Sequence, residues 1–280
     1  MKTAISEILL LFIFAYGCVD SYPRSMLSNY DFKKGKSSKL TGKLTELSGL
    51  TVTPDGRVFA HNDEKGIVYQ INYETGEIVK EFYLSRWVPE RDFEGIAYAN
   101  KNFYLVTSDG LLYEFPEGKH EEAVDFKIYK TGANSEFNIE GLCYDNKTNS
   151  LLFVCKEYPG KNYSGNRAVY SFSLKNYLTD KNPRLLISLK ELNEKFGIKD
   201  FYPSGIEKHL LSNSFFIISA RGGAAIAEIS EQGKLIDAKK LKSNEHNQPE
   251  GISFMPNYDL LIGDEGGGKK GIITLYKYTK

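Results

Sequence analysis

Three glutamates stand in one repeated setting. Glu94 precedes Gly95-Ile96, Glu140 precedes Gly141-Leu142, and Glu250 precedes Gly251-Ile252. Serine holds the same place in two further copies, Ser48-Gly49-Leu50 and Ser204-Gly205-Ile206. More acids follow the glycines at a nearly constant distance: Asp63, Asp109 and Glu265 lie 14 residues beyond theirs and Glu157 lies 16 beyond. Arg221 takes the fifth such place, also 16 on, and Asn62 and Lys156 stand beside two of these acids. Carboxylates brought together repel one another and lose hydration, so they need a cation, a basic partner or protonation. Oxygen donors without histidine or cysteine favour a hard cation, and a flexible set of carboxylates suits calcium better than magnesium or zinc. The same residue types also suit solvated turns, which leaves a plain ring of turn acids as the alternative.

Whether these side chains can meet depends on the elements that carry them. The glycines fall at spacings of 46, 46, 64 and 46 residues, a fixed period that marks a repeat architecture. Within the first repeat, short alternating runs at 47–53, 57–62, 67–72 and 77–84 are separated by Pro54-Asp55-Gly56, Asp63-Glu64-Lys65-Gly66 and Tyr73-Glu74-Thr75-Gly76. Four short strands in about 46 residues is the size of one propeller blade. The second repeat gives strands at 95–99, 103–107, 111–115 and 123–129. The expected fold is therefore an all-β, five-bladed β-propeller of four-stranded blades.

The last repeat runs out after three strands, so residues 29–36 are expected to supply its outer strand and close the ring. The third repeat is 18 residues longer than the others, with the excess in a polar loop at 158–166 and a short helical turn ending at Gly197. Eighteen residues are too few for the alternative of a sixth blade. In such a ring the strand after each Glu-Gly lines the central channel, where a glycine lets neighbouring backbones come close. Ser48, Glu94, Glu140, Ser204 and Glu250 would then enter the channel mouth. An antiparallel partner returns the acids of the second strand to that same mouth, relieved by Lys156 and Arg221.

Lys+Arg and Asp+Glu balance at 36 each, so no global field draws the chain to nucleic acid, and any electrostatic role must be local. Residues 1–17 read as a signal peptide with a short apolar core at 8–15, and Gly17-Cys18 is similar to the lipobox of bacterial lipoproteins. Cys18 would then be lipidated, 18–28 would act as a tether, and 29–280 would form the propeller at the cell envelope. The alternative is a cleaved signal and a secreted or periplasmic protein. Cys143 and Cys155 flank one turn and are expected to stay as two buried thiols, with Cys143 facing Phe153. His61 is the histidine nearest the mouth and the one candidate base, although a packed core residue is the commoner role. Trp87 lies in a connection beside the mouth, where it would cap a blade or stack on a ligand.

The Glu-Gly-Ile/Leu repeats at 94, 140 and 250, the Leu47-Ser48-Gly49-Leu50 start and Val154-Cys155-Lys156-Glu157 together resemble the SdiA-regulated, YjiK-like family of bacterial β-propellers. Propellers of the NHL and esterase-like phytase groups carry similar motifs. The resemblance implies a five-bladed, exported or envelope-associated propeller with a calcium site in the central region. Two function classes remain open: a calcium-binding module presenting loops to a ligand or protein partner, and a metal-dependent hydrolase of the phytase-like kind. No Gly-x-Ser-x-Gly elbow or phosphate-binding glycine loop supports the second.

Overall fold

The computed structural model describes residues 24–280. The proposed signal peptide and Cys18 lie outside the described residues. The chain forms five sheets in sequence order around a central channel, antiparallel except for one short added strand in the first. Their inner strands are Leu47–Val52, Phe93–Ala99, Ile139–Asp145, Tyr202–Lys208 and Pro249–Phe254. These runs are almost wholly buried, because both faces of an inner strand pack against neighbouring blades.

The core consists of five clusters, one between each pair of adjacent blades. Phe59, Phe82, Phe103 and Phe115 fill the gap between the first two blades, and Leu152, Ile187, Phe215 and Ile217 fill that between the third and fourth. At the channel the packing is backbone against backbone. A Cβ on Gly141 would stand 2.8 Å from the Gly205 Cα, and one on Gly95 would stand 2.7 Å from the Leu142 nitrogen. The glycine period is thus a packing requirement of the neck.

The ring closes as expected in kind but not in position. The closing strand is Lys36–Lys39, paired antiparallel with Ile272–Tyr276, rather than 29–36. Residues 31–34 turn instead, with the Lys34 N–H donating to the Asp31 carbonyl, and Phe32 packs on Tyr276 at 4.9 Å. Upstream of that turn Tyr30 bridges Tyr278. The stretch expected as one outer strand of the second blade divides. Ala123–Val124 pairs parallel with Ile78–Leu84 of the first blade, and Lys127–Lys130 completes the second.

The added length of the third repeat includes a helix, Leu189–Phe196. It is capped by Ser188, whose hydroxyl accepts the Glu191 N–H, and by Gly197 in the left-handed conformation at φ 67°. Cys143 and Cys155 are free, buried thiols. Cys143 pairs with Leu152 rather than Phe153, one residue from the expected register.

Candidate functional site

The five residues before the glycines share a backbone feature that aims their side chains. In the first blade Leu47 pairs with Asn62 and Gly49 with His61, so Ser48 has no partner of its own. The register shifts in the same way at Glu94, Glu140, Ser204 and Glu250. Each is the extra residue of a β-bulge, a device that breaks the strict in-out alternation and redirects a side chain. Ser48, Glu94 and Glu250 line the neck of the channel directly above the glycines.

The return strands add a second tier, set by register rather than by distance along the chain. The backbone N–H groups of Asp63, Ser108, Lys156 and Glu265 donate to the carbonyls of Glu46, Asp92, Asn138 and Gln248 in turn. These four are therefore equivalent positions at the mouth. Asp109 is one residue past this place because the second blade's hairpin is shorter. It lies exposed on its own turn, accepting the Thr107 hydroxyl. Glu157 is likewise one past Lys156 and forms a 2.8 Å ion pair with Arg221 on the exposed rim. Arg221 also stands 4.9 Å from the centre of the Tyr202 ring. Asn62 staples its own loop, accepting the Lys65 N–H, and Ser204 donates to the Pro249 carbonyl at 2.5 Å. The structure thus brings together Glu94, Glu140, Glu250, Asp63, Glu265, Ser48 and Lys156. It leaves Asp109, Glu157, Arg221, Asn62 and Ser204 outside that group.

Two acids missed in the sequence complete it, Glu46 and Asp92. The signal was an alternation of polar, apolar and polar residues ahead of each glycine: Glu46-Leu47-Ser48, Asp92-Phe93-Glu94, Asn138-Ile139-Glu140 and Gln248-Pro249-Glu250. Ser108 donates to Asp92 at 2.5 Å, Asn138 to Glu140 at 2.7 Å, and Gln248 to Glu265.

Burial, with Glu140 and Asp92 close by, pushes the Glu94 carboxyl up to about 9, against a 2.9 Å hydrogen bond from Ser48. Burial and then Glu140 hold Glu250 well above the ordinary range. Burial raises Glu140 too, although Lys156 donates to it at 2.8 Å. Glu265 rises to about 7 through burial and its neighbours Glu46 and Asp63, and burial raises Asp63, whose Oδ1 is buried without a hydrogen-bond partner among the described residues. Lys156 is the cation these groups share. Burial works against its charge, but Glu140, Glu250 and Glu94 raise it on balance.

The histidines do not join this group. His61 is fully buried, its Nε2 has no partner among the described residues, and burial lowers it to about 4. A Cβ on Gly49 would lie 2.5 Å from that nitrogen, so the ring packs beneath the bulge. His246 is held between Asp264 and Tyr276 at 2.7 Å to each. Trp87 caps nothing and is 91% exposed.

The SdiA-regulated family model matches residues 24–266. The chain belongs to the SdiA-regulated family. No curated relative matches it. Among solved structures this SdiA-regulated protein is similar to a Myxococcus xanthus glutaminyl cyclase, at 12% identity and TM-score 0.54, covering 87% of this chain and 94% of that one. It is also similar to the PQQ-bound aldose sugar dehydrogenase of Streptomyces coelicolor, at 14% identity and TM-score 0.51, covering 87% and 98%. At these identities the likeness is one of fold.

Proposed function

We propose that this SdiA-regulated protein is a calcium-binding propeller whose acidic mouth serves as a binding module for a ligand or partner. One observation carries the reading. Five carboxyls, Asp63, Glu94, Glu140, Glu250 and Glu265, are raised by burial and by neighbouring acids, Glu46 and Asp92 among those neighbours, and Lys156 stands in their midst, bonded to Glu140 and facing Glu250 and Glu94. An oxygen-only donor set with a buried, unpartnered Asp63 oxygen suits a hard cation. Among the described residues no three such groups already stand as a ligand set. Cation binding therefore requires side-chain rotation. Glu94 and Glu250, turned toward the axis with Ser48, are the ligands assigned here, with Asp63 and Glu265 above them. Glu140 is largely satisfied by Lys156 and Asn138.

The hydrolase alternative has less support. The one histidine that the sequence offers as a base, His61, lies beneath the bulge and away from the mouth. Export and a lipid anchor at Cys18 belong to the same proposal, resting on the apolar run at 8–15 and Gly17-Cys18. In that arrangement the propeller works at the cell envelope.

The test is a thermal melt in EDTA and in calcium. A ligand that binds only the native state at about 100 times its Kd adds roughly 2.7 kcal/mol. An equal Tm in both buffers, with no calcium density at the mouth of a soaked crystal, overturns the reading. Palmitate labelling that is lost in Cys18→Ala tests the anchor.

A further inference from the structure

The channel has a second end, and its chemistry differs from that of the mouth. Past the glycine neck, the finishing ends of the inner strands and their hairpin loops enclose a cavity of about 760 Å³. Its lining includes Tyr98, Tyr144, Phe254 and Tyr258 together with Pro54, Pro256 and polar and charged side chains. On its floor is Glu207, which stands two residues past its glycine, as Thr51 and Ser253 do in their blades.

Glu207 has no charged partner among the described residues. Ser253 donates its hydroxyl to one carboxyl oxygen at 3.1 Å, and the Lys208 N–H donates to the other at 2.8 Å. Three cations line the cavity, of which Lys101 makes no bond to Glu207 and the other two are already committed. Lys208 Nζ pairs with Asp145 at 2.6 Å and reaches Glu231, and Arg57 pairs with Asp55 and Glu117. Protein surrounds the carboxyl except where it faces the cavity, and burial lifts it to about 7. A buried acid with hydrogen bonds but no counter-charge is costly, and a cationic ligand removes that cost.

The cavity walls decide what kind of cation fits. Calcium takes six to eight oxygen ligands, and of the two carboxylates in the lining Asp55 is already held by Arg57, which leaves Glu207 alone. An ammonium group on an organic body needs one counter-ion, and aromatic walls attract it. A cavity of this volume is also of small-molecule size. We propose that the far end of the channel binds a small organic ammonium ion, with the Glu207 carboxylate as its counter-ion and Ser253 holding that carboxylate in place. This site is independent of calcium at the mouth.

Isothermal titration at pH 8 with choline, putrescine and tetramethylammonium, at matched ionic strength and with EDTA present, tests the assignment. At least one of these should bind with a measurable Kd. Glu207→Gln should weaken that binding roughly tenfold or more, because a charge-assisted contact is lost. Glu250→Gln at the mouth should leave amine binding unchanged and weaken the calcium shift, whereas Glu207→Gln should do the reverse. Circular dichroism and a retained calcium shift establish that Glu207→Gln is folded. Tyr98→Leu gives a second reading, with several-fold weaker binding expected. No heat from any of the three amines up to 10 mM overturns the proposal, and so does binding that Glu207→Gln leaves intact.

Discussion

Replacing Glu94 with glutamine should make the calcium-free protein more stable. The carboxyl sits at about 9 in the folded state against an ordinary 4.5. Below pH 4.5 it is protonated in both states and contributes no difference. As pH rises from 4.5 toward 9 the unfolded chain ionises while the folded one holds its proton, so stability is progressively lost. At pH 7 the gap is 2.5 pH units at 1.36 kcal/mol each, about 3 kcal/mol. Part of the side chain meets solvent, so a gain of about 1.5–3 kcal/mol is expected. For a chain this long that is roughly 4–10 °C in Tm. Glutamine keeps the shape and can still accept the Ser48 hydroxyl.

The assay is urea unfolding of both proteins in EDTA at pH 5, 7 and 8.5. The stability difference should be small at pH 5, about 1.5–3 kcal/mol at pH 7, and larger at 8.5. In calcium the order should reverse, because the variant lacks a proposed ligand. A variant less stable in EDTA at every pH, or a difference that does not change with pH, would refute the reasoning about Glu94.

Other substitutions separate the neck, the rim and the core. Gly141→Ala puts a methyl 2.8 Å from the Gly205 Cα and should cost about 1–3 kcal/mol in urea unfolding by forcing two blades apart. Arg221→Ala should change stability by less than about 1 kcal/mol and leave the calcium shift intact, since its pair with Glu157 is exposed. Cys143 and Cys155 should resist a thiol reagent in the native protein and both react in denaturant, because both are buried and free.

The repeat was legible because the neck demands glycine. A Cβ would stand under 3 Å from neighbouring backbone at Gly95, Gly141 and Gly205, and from a packed side chain at Gly49 and Gly251, and so the five glycines mark the blades in the bare sequence. The site was legible only in part. Asp63, Asp109 and Glu265 share one distance from their glycines, but pairing places Ser108, not Asp109, beside Asp63 and Glu265. A one-residue difference in a hairpin turn changes which side chain arrives at the mouth, and composition does not reveal it. The bulges are equally silent in the sequence, since a bulged residue differs from its neighbours in pairing and not in type. Glu46 and Asp92 could have been found from the polar alternation alone. The closing strand lies downstream of 29–36 because the chain turns at 31–34, where Phe32 packs on Tyr276.

That closing strand also has a kinetic consequence. The residues at 249–276 supply only three strands to their sheet, and the fourth comes from the other end of the chain. Ser37 bonds Thr274 across a sequence separation of 237, and Asn29 bonds Tyr278 across 249. A ribosome delivers the first of these partners long before the second. Until then Ile272–Tyr276 has no neighbour on its outer side, and its edge is open to strands from other molecules. Contacts of such range are slow to form. Refolding should therefore show a late phase in which the ends meet, and that phase sets how long the protein is exposed to aggregation.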